Sequence, residues 1–429
     1  MSKEKTLIEL MHIFTTLYIS IMNCLDDLIT SFPKRSADYP SLSQKQRGLN
    51  FIHTYIHQYG EYDIFSKIIS HRIAQIQTCE NYRGNLHQTF TSDIANQICG
   101  HSLLDGLPEI YLDIEKLAIS LFGNILSCWA EYESYKILGR VQHYQNNHMA
   151  ALNRVHTCAP NEFISEIVMH IEKDERLFMT HHYNKPMLLS DAIVLTNIET
   201  FIKEQHWYEM LYYLNLSQKG QHFIMLQGDE DGLATITSTA LIQGWELRDN
   251  WLTFNPFFQN SHWQVDVNEK KLNALRQTGI FSDALSFTYH PFSILEFETQ
   301  LADTLIDDKA ICEVLRLTVS GPSAKRQFFL YQSQKMLMKI LHEQGKPIVF
   351  TIIEQPSMIL FYQALNRDSH TELPYINTAY QDVNASGLVT YKGFWLTKHL
   401  SELFKQNSFK DYKKKVIGMR RAVRETTNA

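Results

Sequence analysis

Ala310-Ile311-Cys312-Glu313-Val314-Leu315-Arg316-Leu317-Thr318-Val319 is the stretch on which the fold turns. It is rich in β-branched residues and leucine and holds no helix breaker, so it reads as a buried strand. Ser320-Gly321-Pro322-Ser323 stops it and starts a helix. Serine is a favoured N-cap, and proline is tolerated in a first turn because its missing N–H has no partner there. The segment 325–344 carries Phe328, Tyr331, Met336, Ile340 and Leu341, and Gly345 is placed as its C-cap. Ile348-Val349-Phe350-Thr351-Ile352-Ile353 is a second, nearly all-apolar strand. Strand, helix and strand in this order predict one right-handed crossover between parallel strands.

Glu313 and Arg316 carry the chemical information in this unit. Charged residues seldom occupy a strand that is apolar on both faces unless they have partners. Period-two alternation sends the two to opposite faces. A bulge between them would bring both to one cleft, and bulges are common beside active sites. The alternative is an edge-strand Glu and Arg, each paired with its own surface neighbour.

The order strand, Glu-x-x-Arg, Gly/Pro/Ser turn, long helix and second apolar strand, followed by Met358-Ile359-Leu360-Phe361-Tyr362-Gln363-Ala364-Leu365, resembles the acetyltransferase-like core of bacterial acyl-homoserine-lactone synthases. The resemblance covers roughly residues 205–395. The long chain, with its large N-terminal half, is similar to the LuxM/AinS branch rather than the short LuxI branch. It implies an α+β fold: an N-terminal helical domain, then an acetyltransferase-like (GNAT-like) mixed β-sheet domain with flanking helices. It also implies acyl transfer from acyl carrier protein, or acyl-CoA, to the amine of S-adenosylmethionine. Lactone closure with release of methylthioadenosine follows, with no cofactor beyond these substrates.

On that resemblance Glu313 and Arg316 belong to the acyl-transfer centre. A cationic amine must lose a proton before it attacks a thioester, so Glu313, directly or through water, is the candidate general base. Arg316 is the candidate to hold the substrate carboxylate or to orient Glu313. Gly321, Ser323, Lys325 and Arg326, at a helix N-terminus, are candidates for the phosphopantetheine phosphate of the acyl donor. Acidic residues near the first strand help hold S-adenosylmethionine in the family, but the spacing here assigns none. Two other readings stand beside this one. A CoA-dependent N-acetyltransferase for another amine is disfavoured because Ser320-Gly321-Pro322-Ser323-Ala324 lacks the usual pyrophosphate loop. The other is a non-catalytic helical regulatory or adaptor protein with an acyltransferase-like fold.

The 429 residues suit two domains, each able to bury a core. A net charge of −6 argues against a nucleic-acid partner. Cys24, Cys79, Cys99, Cys128, Cys158 and Cys312 show no CxxC spacing, so they read as reduced core residues of a cytoplasmic protein, with no metal site. Leu7 to Leu25 contains Glu9 and His12 and runs into Asp26-Asp27 without a cleavage site. Its apolar residues form one helical stripe, which predicts an amphipathic helix and leaves peripheral membrane contact open; no stretch is long and uncharged enough to span a bilayer.

Residues 1–185 read as mainly helical, with the loop 31–40 after the first helix, and as a packing, dimerising or regulatory domain. Their many histidines, among them His71, His87, His101, His143, His148 and His156, read as ordinary surface or core residues. His53 and His57 have the spacing of two helical metal ligands, but no Glu follows His53, so surface histidines are expected. A linker is expected around His181–Pro186 and an acetyltransferase-like domain over 190–400. His222–Leu226, the turn Gly228-Asp229-Glu230-Asp231-Gly232 and Leu233–Ile242 form the clearest hairpin. The turn is too short for an EF-hand. Trp245, Trp251, Phe254, Phe257, Phe258 and Trp263 suit either core or an acyl-chain pocket. Further strands are expected at 375–378 and 388–391. The tail 401–429 has eight Lys or Arg against three acids. It reads as a solvated basic helix, or as a docking surface in which Lys413, Lys414 and Lys415 meet acidic acyl carrier protein.

Overall fold

The computed structural model describes residues 43–79, 86–99, 106–147, 154–218, 220–259, 262–285, 293–369, 373–381 and 389–427. The expected helix at Leu7–Leu25, the loop 31–40, Cys24, His101, His148 and Leu388 lie outside them. The chain divides into two compact units. The described residues of the first are 43–68 and 107–128; those of the second fall within 69–106 and 129–427.

Helices come first: α1 (Gln44–Tyr59), α2 (Ile64–Gln77), α3 (Leu86–Thr91), α4 (Asp93–Cys99), α5 (Glu109–Phe122) and α6 (Ile125–Asn147). In the first unit a capping box of Ser43 and Gln46 starts α1. Gly48 lets α1 approach α5 closely, since a Cβ there would lie 2.6 Å from Leu121 Cδ1.

The second unit is built on one ten-stranded sheet. Its elements in chain order are β1 (Phe163–Val168), β2 (Leu177–Thr180), β3 (Tyr183–Leu188), α7 (Leu189–Asn197), β4 (Gln221–Gly228), β5 (Ala234–Gly244), β6 (Gln264–Val265), α8 (Glu269–Arg276), α9 (Ile294–Asp303), β7 (Ile311–Val319), α10 (Ser323–Glu343), β8 (Ile348–Ile353), α11 (Pro356–Asp368), β9 (Tyr375–Gln381), β10 (Thr390–Leu396), α12 (Thr397–Gln406) and α13 (Phe409–Thr427). The strand order is β1-β4-β5-β7-β8-β10-β9-β6, with β2 pairing β3 and β5. The β7–β8 and β2–β5 pairs are parallel; the other pairs run antiparallel.

The central strand–helix–strand unit and the β4–β5 hairpin follow the sequence closely. Asp229 Oδ1 accepts from the amides of Asp231 and Leu233, which makes the acidic turn a self-capped tip. Gly345, at φ 70°, ends α10 in the left-handed region. One expectation changes. The mainly helical character ends at Asn147, and residues 163–188 carry three strands of the sheet. β1 is a half-buried edge strand whose pairing with β4 is a tertiary choice that local pattern does not reveal. Pro186, expected in a linker, sits in edge strand β3, where proline is tolerated.

The two faces of the sheet are distinguished by consecutive residues of β5. Ser238 Oγ meets Ser333 Oγ of α10 at 2.7 Å. Thr239 Oγ1 meets Thr318 Oγ1, and that hydroxyl reaches Asn197 of α7 at 3.2 Å. Successive strand residues point to opposite faces, so α10 covers one face and α7 the other. On the α10 face one apolar core joins Phe223, Val314, Leu337, Phe361, Trp395 and Tyr412, which seats α11, α12 and α13.

Candidate active site

The site begins with a defect in β7. Its pairing with β5 steps from Leu241↔Leu315 to Thr239↔Thr318, so Arg316 and Leu317 stand opposite Ala240 alone. Arg316 has φ 53°, the left-handed conformation that opens many bulges. On the other side, pairing with β8 runs only from Ile311↔Ile348 to Val314↔Thr351. Past that point β7 bends away and the two parallel strands part at their carboxyl ends. A cleft of about 420 Å³ opens there, lined by Val314 and Arg316–Val319 of β7 and by Thr351–Gln355 at and beyond the end of β8.

Both faces contribute walls. Thr200, Glu204 and Trp207 come from the segment that continues α7, and Arg326, Leu330 and Met358 from α10 and α11. Trp395 of β10 and Arg420 of α13 complete the lining. Trp207 and Trp395 are 5% and 2% exposed, and their indole N–H groups find no acceptor among the described residues.

Charge in the cleft is mixed. Arg316 is buried and its Nη2 donates to the carbonyl of Tyr213. Burial pulls its guanidinium down to about 10, so it remains a cation at neutral pH. Arg326 is fully committed: Nε donates to the Gly321 carbonyl at 2.9 Å, and the two Nη atoms to the Glu204 carboxylate at 2.7 and 2.9 Å. Gly321 has φ 129°, and a Cβ there would meet Phe329 at 2.7 Å and His181 Nε2 at 3.2 Å, so only glycine fits this turn. Burial pushes the His181 imidazole down to about 4, which keeps it neutral beside the turn. The turn leads into α10, whose N-cap, Pro322, offers no side-chain acceptor. Ser323 lines the cleft, whereas Lys325 is exposed and absent from the lining.

Glu313 lies elsewhere. It is fully buried, on the face opposite its neighbour Val314. Its Oε2 accepts from the Leu252 amide at 2.8 Å, and its Oε1 from the Thr253 amide at 2.8 Å and the Thr253 hydroxyl at 2.5 Å. Burial pushes its carboxyl up to about 7 against these hydrogen bonds. Nearby, Lys392 Nζ donates to Glu298 and to the carbonyls of Thr253 and Phe258 at 3.0 and 2.7 Å. Burial raises Glu298 and lowers Lys392, while their attraction opposes both shifts. These acids and Lys392 together pin the segment 251–259 under the sheet.

A bulge is present, but at Arg316–Leu317 rather than between Glu313 and Arg316, and it does not unite the two charges. Arg316 enters the cleft, and Glu313 is not among the residues that line it. Trp251, Phe258 and Trp263 are core, with Trp251 packed on Phe350 at 5.1 Å, Trp245 and Phe254 are half-buried, and none of these five lines the cleft. Of the three tail lysines, Lys413 and Lys414 are exposed on α13, while Lys415 pairs with Asp368 of α11. Sequence reading gave no cleft role to Trp207, Trp395, Glu204, Glu354 and Arg420, and no shared local signal marks them. Among the described residues no group of His, Cys, Asp and Glu is arranged to hold a metal, no cysteine is bonded to another, and no helix is long and apolar enough to cross a membrane.

A cleft at the carboxyl end of a parallel strand pair, with a buried cation and unpartnered donors in its wall, is where α+β proteins of this kind bind small ligands. A family model described as acyl homoserine lactone synthase matches residues 43–425. LuxM of Vibrio harveyi, an acyl-homoserine-lactone synthase, is 36% identical over 310 residues, 72% of this chain and 75% of the relative. LuxM of Vibrio atlanticus is 38% identical over 264 residues, 61% of this chain and 63% of its own. OpaM of Vibrio parahaemolyticus is 36% identical over 259 residues, 60% of this chain and 62% of its own. No solved structure matches. The chain belongs to the acyl homoserine lactone synthase family. It is thus an acyltransferase that makes a quorum-sensing signal.

Proposed function

We propose that the cleft joins S-adenosylmethionine to an acyl thioester, from acyl carrier protein or acyl-CoA, and that lactone closure then releases methylthioadenosine. The observation that carries this reading is the parting of β7 and β8 at Arg316, which opens the cleft to both faces of the sheet. Two substrates can then approach from opposite sides and meet between the strands. The same feature supports an acetyltransferase-like reading of the sheet. Arg316 is the cation for the amino-acid carboxylate, held by burial where a guanidinium–carboxylate pair gains most. Gly321, Ser323 and the N-terminus of α10, which has no side-chain cap, suit the phosphopantetheine phosphate. Arg326 joins them only when the phosphate displaces Glu204. Exposed Lys413 and Lys414 on α13, the helix that also brings Arg420 to the cleft, suit an acidic carrier protein. Substrates of this kind fit the cytoplasm.

The test is incubation of the purified protein with labelled S-adenosylmethionine and an acyl donor. Labelled lactone and methylthioadenosine should form in equal amounts. Failure to form lactone with either acyl carrier protein or acyl-CoA as donor would refute the substrate assignment.

A further inference from the structure

One wall of the cleft has an unusual backbone. α7 runs on as a π-helical turn over Ile198–Glu204, a rare geometry that recurs at functional sites. His206 then takes φ 58°, a left-handed conformation that an L-residue keeps only where its surroundings impose it. Thr200, Phe201, Glu204, Gln205 and Trp207 of this stretch all line the cleft. The same stretch leads to Tyr213, whose carbonyl accepts from Arg316 Nη2.

What holds this backbone comes from far back in the chain. His87 stacks flat on His206, with ring centroids 4.3 Å and planes 9° apart. Beside it the Leu86 amide donates to Glu209 Oε1 at 2.6 Å, across 123 positions. Residues 86–87 thus grip the wall just before and just after Trp207. Burial pushes the Glu209 carboxyl up to about 7, and in either protonation state an oxygen remains to accept from the amide. Helix α6 holds the stretch at three further places. Lys203 Nζ meets Glu131 at 2.8 Å and Glu199 at 2.9 Å. Ser134 Oγ donates to Glu199 at 3.0 Å, and Trp129 packs edge-on against Tyr212 at 5.0 Å.

We propose that His87 and Glu209 are positioning residues for S-adenosylmethionine: the clasp of 86–87 on 206–209 sets where Trp207 stands in the cleft wall and, through Tyr213, where Arg316 is held. The inference rests on the substrate reading above, in which Arg316 meets the amino-acid carboxylate. The catalytic unit then begins among the helices that precede the sheet, and not near residue 190.

The test uses the full-length protein. Calorimetry reads the dissociation constant for S-adenosylmethionine and the number of sites as separate quantities, and urea unfolding reports whether each variant folds. In His87→Ala and in Glu209→Ala the dissociation constant should rise about tenfold, because a displaced support spoils the fit of the groups it carries, and KM for S-adenosylmethionine should rise with it. A purely structural role would instead lower the number of sites and leave the constant of the folded fraction unchanged. His87→Phe keeps a flat ring over His206, and Glu209→Gln keeps an acceptor for the Leu86 amide, so both should stay within about twofold of the unaltered protein. His87→Leu, which has bulk without a flat ring, should weaken binding like the alanine variants and serves if they do not fold. An unchanged dissociation constant in these disruptive variants, or equal weakening in His87→Phe and Glu209→Gln, would overturn the proposal. Absence of S-adenosylmethionine binding by the unaltered protein would instead overturn the substrate reading, and the inference with it.

Discussion

Arg316 offers a test of the bulge that is independent of catalysis. An L-residue in the left-handed region costs roughly 1–2 kcal/mol, a cost glycine does not bear. In an ordinary strand the order is reversed, and glycine is worse than alanine by roughly 0.5–1 kcal/mol because it loses more chain entropy on folding. At φ 53° the first effect outweighs the second. Arg316→Gly should therefore be more stable than Arg316→Ala by roughly 0.5–1 kcal/mol. Both variants lose the guanidinium and its bond to the Tyr213 carbonyl, so that loss cancels in the comparison. Urea unfolding of the two variants, with native-state amide exchange across β7, measures the difference. If the alanine variant is as stable as the glycine variant or more so, the backbone at 316 is an ordinary strand. The account of how the cleft opens would then collapse.

Two further outcomes are expected. The Glu313 carboxyl, pushed up to about 7 in the fold from its ordinary 4.5, binds more protons folded than unfolded between those values. Its contribution to stability therefore falls by roughly 3 kcal/mol as pH rises through that window and is flat above it. Glu313→Gln removes this slope, so the stability gap between native protein and variant should shrink from pH 5 to pH 8; a gap that widens with pH would sink the reading. In the last prediction, Lys413→Glu with Lys414→Glu should raise KM for acyl carrier protein severalfold and leave acyl-CoA nearly unchanged. Equal effects on both donors would exclude α13 as a carrier-docking helix.

How much of this was legible depends on sequence distance. β7, α10 and β8 were readable because each is a local pattern with its own stop signals, Gly321-Pro322 and Gly345. The charge conflict at Glu313 and Arg316 also announced a bulge, since a regular strand could not serve both. What the bulge does was hidden. Glu313 is satisfied from Leu252 and Thr253, about sixty positions upstream, and Arg326 is occupied by Glu204, 122 positions away. No local pattern carries such pairings. Glu354 escaped notice for the opposite reason: an acid just after an apolar strand looks like a solvated end, and only the parting of β7 and β8 turns that end inward. β1 and β3 are edge strands and the four-residue β2 is held between β3 and β5, so all three take their identity from distant neighbours that no local pattern shows.

The parting of β7 and β8 also leaves strand edges inside the sheet. A strand edge is a row of amide donors and carbonyl acceptors that invites pairing with another chain, and proteins usually blunt such edges or cover them. Here the sheet has two additional edges in its interior, along 316–319 and 352–354, beyond the last β7–β8 pair. They face each other across the cleft, with the segment 200–207 on one side and α10 on the other. A folded neighbour cannot reach them, but a slender ligand can. The protein thus keeps hydrogen-bonding capacity at its centre that would be an aggregation hazard at its rim, and the helices that flank the cleft act as a size filter on what may use it.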